Sequence, residues 1–362
     1  MTQIENDQLK PAQEALEGIL MKMPNVKLTW DVYARTNQPD LARMTDLTVT
    51  VESGHYSHTL VVEITSQGHP RQLREAIIKL LRFRNKANQP AYLVVAAPFI
   101  TAEGAALCQE DGIGYFDFAG NCRLAFGQYF IERIGNPNPF RNAQGPAARY
   151  LYGPKSERVL RVLFGGKGRT WKVVPLAEEA RVSTGTVSIV RNLLLEREWA
   201  RETDQGLELT QPEKLLKDWA VAWGRRRQRP RTYFTMLKLA DVEAKMADFA
   251  ARQNRPFALT GTAGAWRRAP MTRYIRTQAY WDGDPAELAN AADLKPAEAG
   301  ANVHIFDPRD DGVFFQLEKI DGVPVVSPLQ LYLDLQGDPA RGEEAADHLW
   351  TTALFPENAR TH

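Results

Sequence analysis

The chain contains only two cysteines, Cys108 and Cys122, in 362 residues. Two thiols make no disulfide framework, and neither stands in a metal-type spacing with any of the six histidines. A reducing, cytoplasmic setting without structural zinc is the expectation. Long apolar runs are also missing, since no stretch approaches the roughly 20 residues that span a membrane. The start, Met1-Thr2-Gln3-Ile4-Glu5-Asn6-Asp7, is polar and acidic and lacks the pattern of a secretory signal. Internal repeats and low-complexity tracts are absent. Net charge is close to zero, with 45 Lys and Arg against 44 Asp and Glu, so overall charge selects no partner. Hydrophobic content of 44% and charged content of 25% are those of an ordinary globular protein. The length exceeds what one core usually serves and predicts two or three domains.

Charge is distributed unevenly along the chain. Residues 1–154 hold 15 basic and 15 acidic side chains; 155–231 hold 17 and 10, net +7; 232–362 hold 13 and 19, net −6. The positive segment ends in Arg225-Arg226-Arg227-Gln228-Arg229-Pro230-Arg231. A stretch rich in Pro, Gly and Asn, 135–146, precedes it. An α+β multidomain chain is therefore expected, divided at 1–148, 149–231 and 232–362.

Within the positive segment, Leu176-Ala177-Glu178-Glu179-Ala180 has the spacing of a short helix. Arg181-Val182-Ser183 reads as a turn with Ser183 as N-cap, and a longer helix is predicted over 184–198. Strands at 199–202 and 207–210 flank Asp204-Gln205-Gly206, a hairpin signal. Helix, turn, helix and hairpin in this order make a winged helix-turn-helix, which lays its second helix in a DNA major groove. At about 100 degrees per residue, Val187, Val190 and Leu194 share the core side. The opposite face carries Gly185, Ser188, Ile189 and Asn192, flanked by Thr184 and Arg191. An exposed isoleucine suits a thymine methyl, and a missing side chain at Gly185 permits close approach to a duplex.

Expected DNA contacts are Lys172, Ser183, Thr184, Gly185, Thr186, Ser188, Ile189, Arg191, Asn192 and Arg201 in the motif, then Arg225, Arg226 and Arg227. Arg191 and Asn192 carry donors and acceptors for base edges, while the arginine run suits phosphates. That run also fits a solvated linker, but its position just after the wing favours backbone contact. The expected partner is operator double-stranded DNA, bound by a homodimer because such motifs commonly act on paired half-sites.

The first segment reads as α/β. A helix is predicted at 9–21, strands at 27–33, 46–52 and 59–65, a helix at 71–85, a strand at 92–97, a helix at 102–111, and strands at 114–117 and 123–126. Asp46 falls in the second strand. Glu63 falls in the third, within Val61-Val62-Glu63-Ile64-Thr65, before a helix opening Arg71-Gln72-Leu73. Both acids also fit as polar residues of half-exposed strands. The arrangement resembles the PD-(D/E)xK nuclease superfamily. That resemblance implies a divalent metal on Asp46 and Glu63, whose oxygens suit Mg²⁺, and a lysine two residues after the glutamate. The lysine position is Thr65, which carries no charge. Lys79 on the following helix substitutes only if it reaches, which spacing does not decide. The expectation is a nuclease-like fold without efficient cleavage, with no catalytic residue, metal or cofactor. Asp111-Gly112-Ile113-Gly114-Tyr115-Phe116-Asp117-Phe118-Ala119-Gly120-Asn121-Cys122-Arg123-Leu124 resembles a stretch that accompanies this fold in bacterial regulators. Gly120-Asn121 by itself is a hairpin turn signal.

The last segment contains Phe257-Ala258-Leu259-Thr260-Gly261-Thr262-Ala263-Gly264-Ala265 and Gly300-Ala301-Asn302-Val303. Further on come Ile320-Asp321-Gly322-Val323-Pro324-Val325-Val326-Ser327-Pro328-Leu329-Gln330-Leu331-Tyr332-Leu333-Asp334-Leu335 and Arg341-Gly342-Glu343-Glu344-Ala345-Ala346. With the helix-turn-helix, roughly over 155–350, these resemble AbiEi-type antitoxins of type IV toxin–antitoxin systems and related plasmid regulators. The resemblance implies repression through operator binding and a role opposing a nucleotidyltransferase toxin. Thr260 to Gly264 also has the look of a nucleotidyltransferase glycine turn. The strand expected at 277–282 lacks the Asp-x-Asp pair that would hold Mg²⁺, so a tight strand-to-helix turn is expected. Gln330, Tyr332 and Asp334 read equally as packing residues or a site. Two alternatives to a DNA-binding regulator follow: a metal-dependent endonuclease targeted by its helix-turn-helix, and an antitoxin acting by protein contact through the acidic segment.

Overall fold

Strand alternation in the first segment produces one seven-stranded sheet in the computed structural model, which describes residues 3–30, 44–87, 90–138, 151–166, 168–226, 229–270, 274–336, 338 and 342–356. Contacts divide the chain into two units, Met1–Arg149 with Asn192–Glu198, and Tyr150–Arg191 with Trp199–His362.

The first unit runs α1 (Gln3–Leu20), β1 (Val26–Trp30), β2 (Leu47–Ser53), β3 (Tyr56–Ile64), α2 (Pro70–Lys86), β4 (Tyr92–Ala97), α3 (Ala102–Glu110), β5 (Gly114–Asp117), β6 (Cys122–Phe126) and β7 (Tyr129–Arg133). The strands lie in chain order. β1 to β3 are antiparallel, β3, β4 and β5 parallel, and β5 to β7 antiparallel again. The two parallel pairs need crossovers, which α2 and α3 supply. Period-two alternation sends Leu60, Val62 and Ile64 of β3 into a core with Leu16, Ile19 and Leu20 of α1. Val61 points the other way, into a core with Leu73, Ala76 and Leu80 of α2. Each such side chain contributes roughly 1.5–3 kcal/mol on leaving water.

Boundaries differ from the sequence expectation in ways that matter for the site. Asp46 lies in a bend just before β2, and Thr65 follows the end of β3. Strand β7 was not expected, and the predicted continuation of β1 to residue 33 falls outside the described residues. The Asp117–Asn121 stretch is a turn. Asp117 Oδ1 accepts from the Asn121 backbone at 2.9 Å and Oδ2 from the Asn121 amide at 2.9 Å, so both groups are occupied locally.

The second unit contains α4 (Pro154–Gly165), α5 (Val173–Glu179), helix α6 (Thr184–Glu196, whose last residues are grouped with the first unit), β8 (Ala200–Thr203), β9 (Gly206–Leu209) and α7 (Pro212–Gly224). It continues with β10 (Arg231–Phe234), α8 (Leu239–Gln253), β11 (Phe257–Thr260), α9 (Gly261–Arg268), β12 (Thr277–Trp281), α10 (Pro285–Ala291), β13 (Lys295–Pro296), β14 (Val303–Phe306), β15 (Glu318–Ile320), β16 (Val323–Val325), α11 (Pro328–Leu335) and α12 (Gly342–Leu349). A seven-stranded mixed sheet has the order β13-β10-β14-β12-β11-β16-β15. The fold class is thus mixed α+β. Gly261 takes φ +57° where β11 turns into α9, and a side chain there would collide with the Gln278 amide. Among the described residues no helix is long and apolar enough to cross a membrane.

Residues on either side of position 231 share this unit through a buried polar network. Asp334 accepts from Trp223 Nε1 (2.8 Å), Tyr280 Oη (2.9 Å), Gln330 Nε2 (3.0 Å) and Thr260 Oγ1 (2.5 Å). Burial pushes the Asp334 carboxyl above the usual carboxylate range, against the pull of these four donors. Arg161 of α4 donates to Gln330 Oε1, and Arg158 grips Asp310 through two bonds of 2.7 and 2.8 Å. Helices α4 and α7 are thereby fastened to the C-terminal sheet.

Candidate nucleic-acid interface

Two residues beyond the end of α5 the chain takes a left-handed conformation at Arg181 (φ +52°), and Val182 N–H returns to Ala177 O at 3.0 Å. Ser183 then caps α6: its Oγ accepts from Thr186 N–H at 3.2 Å and lies 3.0 Å from Thr186 Oγ1. Ser188 Oγ bonds back to Thr184 O at 3.0 Å. Helix α6 stops two residues earlier than expected, before Glu198 at φ +57°. Val187, Val190 and Leu194 are buried as the periodicity requires. Gly185, Ile189 and Asn192 are exposed, Ile189 at 42%. Beside Gly185 the nearest atom a side chain would meet is Ser183 Oγ, at 3.8 Å. Alanine would fit there and would suit a helix better, so nothing within the chain demands glycine.

Strands β8 and β9 pair antiparallel, Ala200 opposite Leu209 and Thr203 opposite Gly206. Trp171 bridges to Leu207 and adds a third rung. Gly206, at φ +130°, approaches the Trp171–Lys172 backbone so closely that a Cβ would stand 2.9 Å from Lys172 N. Lys172 itself is exposed at the start of α5. The role of Trp171 was not anticipated; a lone tryptophan between helices carries no periodic signal.

The arginines named from sequence divide into two groups. Arg191 is held by both carboxylate oxygens of Glu202 on the hairpin, and Arg201 Nε pairs with Glu208 Oε2 at 2.7 Å. Arg226 turns inward: it donates to Ala222 O at 3.1 Å, to Tyr152 O, and to Glu157 Oε1 at 2.8 Å. Glu157 is buried and also accepts from Trp219 Nε1 at 3.1 Å. Arg225 is exposed, and Arg227 lies outside the described residues.

In the first unit, Glu63, Thr65, Arg71, Gln72 and Lys79 line one cleft. Glu63 shares the α2-facing side of β3 with Val61, because the two are two positions apart on the strand. Its carboxylate meets the ammonium of Lys79, so Lys79 does reach the site from α2. Asp46 Oδ2 accepts from Ile64 N–H at 2.8 Å. Thr65 is buried, its hydroxyl 2.9 Å from Gln67 O and 3.3 Å from Ala96 O, fastening the end of β3. Among the described residues no three His, Cys, Asp or Glu side chains gather into a group that could hold a metal.

No curated protein and no solved structure matches the chain. The sequence resemblance was expected over about 155–350. A family match covers a shorter stretch, about two fifths of the chain, that opens in β9 and leaves out the α5–α6 helix pair. Residues 208–354 match the family described as transcriptional regulator, AbiEi antitoxin, type IV TA system.

Proposed function

We propose that this chain is a sequence-specific DNA-binding transcriptional regulator, a repressor that serves as the antitoxin of a type IV toxin–antitoxin system. In this reading α4 to β9 form a winged helix-turn-helix and α6 enters the major groove. The observation that carries it is the outer face of α6: a Ser183-capped helix exposing Gly185, Ile189 and Asn192, with no side chain filling the space beside Gly185. An exposed isoleucine beside an open glycine is poor design for a solvated helix and good design against base edges. The family match to 208–354 supports the regulatory role independently of the helix pair.

Base contacts are assigned to Asn192, Ile189 and Ser188, and backbone contacts to Lys172, Thr184 and Arg225. Arg191 reads bases only after leaving Glu202, an exposed pair of the kind worth about 1 kcal/mol or less. Arg226 braces the scaffold. The three-part division at 148 and 231, a homodimer on paired half-sites, a cognate toxin and a cytoplasmic setting belong to the same reading. The first unit is read as nuclease-like in ancestry and non-cleaving, since Thr65 stands at the lysine position. The test is selection of bound fragments from source DNA followed by a footprint. Protection of a discrete site supports the reading, and uniform retention of all fragments removes it.

A further inference from the structure

We infer that the ammonium of Lys79 is the built-in counter-ion of the Glu63 carboxylate, so that this cleft takes its cation from the chain and not from solution. The inference stands apart from the DNA-binding reading of α6. It concerns a site where the superfamily resemblance implies a divalent metal, and the residues present do not fit one. Mg²⁺ takes near-octahedral oxygen ligands, usually one or two carboxylates completed by waters, so the oxygens of those carboxylates must be open to it. Here Glu63, with only 4% of its side chain exposed, already gives Oε1 to Lys79. Asp46 already gives Oδ2 to the Ile64 amide at 2.8 Å. The described residues bring no third His, Cys, Asp or Glu ligand into such a group.

Helix packing brings the lysine to this place. Leu73, Ala76, Ile77, Leu80 and Phe83 bury one face of α2 against the sheet. That stripe fixes the helix rotation and leaves Lys79 beside Leu80, at the rim of the face, above Glu63. Because β3 alternates, Glu63 must point to this side. A dication approaching the buried Glu63 carboxylate would meet the Lys79 ammonium already paired with it, and like charges repel. A buried glutamate without a partner would be expensive, so the lysine answers a need that a metal would otherwise meet.

Mn²⁺ titration of the full chain by calorimetry, repeated for Lys79→Met and for Lys79→Met with Glu63→Gln, tests this. The wild-type chain should show no saturable site tighter than about 1 mM. Lys79→Met should gain a site at least about tenfold tighter than any in the parent, and the added Glu63→Gln should abolish it. A wild-type site tighter than that limit overturns the inference. So does a folded Lys79→Met chain that gains nothing. If Lys79→Met fails to fold, paramagnetic broadening of the wild-type Glu63, Ile64 and Thr65 amides by Mn²⁺ decides. Unbroadened signals support the inference and selective broadening contradicts it.

Discussion

The cleft of the first unit and the outer face of α6 are both small polar clusters visible in the sequence, and they are built on opposite principles. In and beside the cleft the polar groups are answered from within: Glu63 by Lys79, Thr65 by two carbonyls, and Asp46, in the bend before β2, by the Ile64 amide. On α6, Gly185, Ile189 and Asn192 stand in the open. The same contrast separates neighbours in the arginine run, where Arg226 is consumed by Glu157 and two carbonyls while Arg225 is exposed. A buried polar group satisfied by its own chain, together with the side chain that satisfies it, is scaffold. One left exposed in a costly form, such as a bare helix glycine or an isoleucine in water, points to an outside partner.

Substitutions can break this comparison, and the largest effect should come where satisfaction is most complete. Asp334→Ala removes the acceptor of four donors and should destabilise the second unit by about 4 kcal/mol or more in urea unfolding. Arg226→Ala leaves the Glu157 carboxylate buried with one partner fewer and should cost about 2–4 kcal/mol. Arg225→Ala should change stability by less than about 0.5 kcal/mol, yet lower the salt slope of DNA binding by about 1. If the two arginine variants behave alike, the division between scaffold and interface fails.

Asn192→Ala should leave the unfolding midpoint unchanged and relax discrimination at one base position by about 1–3 kcal/mol. A pH series sharpens the scaffold side. Burial pushes Asp310 up, but the two Arg158 hydrogen bonds and the Gly312 amide outweigh it and hold its carboxyl below the usual range. A lowered folded value means the link contributes fully above the unfolded carboxylate range and is lost as pH falls through the folded value. Asp310→Asn should therefore flatten the stability profile below about pH 4. Smallest of all, Gly185→Ala should stabilise the chain by about 0.5–1 kcal/mol while weakening operator binding, a reversal that a purely structural helix would not show.

Much of the fold was legible because its signals are local. The apolar run of β4, the N-cap at Ser183 and the stripe Val187–Val190–Leu194 need only neighbours within a few residues. Helices α4 and α7 were not assigned from the sequence: the buried face of α4 mixes Glu157 and Arg161 with its apolar residues, while the regular stripe of α7, Leu215, Leu216, Trp219, Ala220 and Trp223, was passed over. The ties that matter most join distant positions: Lys79 to Glu63, Arg226 to Glu157, Trp223 to Asp334. Spacing along a chain cannot show that a lysine on a helix crosses to a strand sixteen residues earlier. Arg191 and Arg226 were chosen for their chemistry, and only their partners distinguish a reader of DNA from a brace.

The central claim is that α6 carries sequence recognition, and competition binding tests it most directly. A labelled duplex holding the selected site is displaced by unlabelled site and by a scrambled duplex of equal length, using the full chain and its Asn192→Ala and Ile189→Ala variants. The account predicts that the wild-type chain prefers its site by about 10³ or more and that each variant loses a large part of that preference while keeping its fold and its affinity for the scrambled duplex. Equal displacement by both competitors, or a preference untouched by both substitutions, would contradict it.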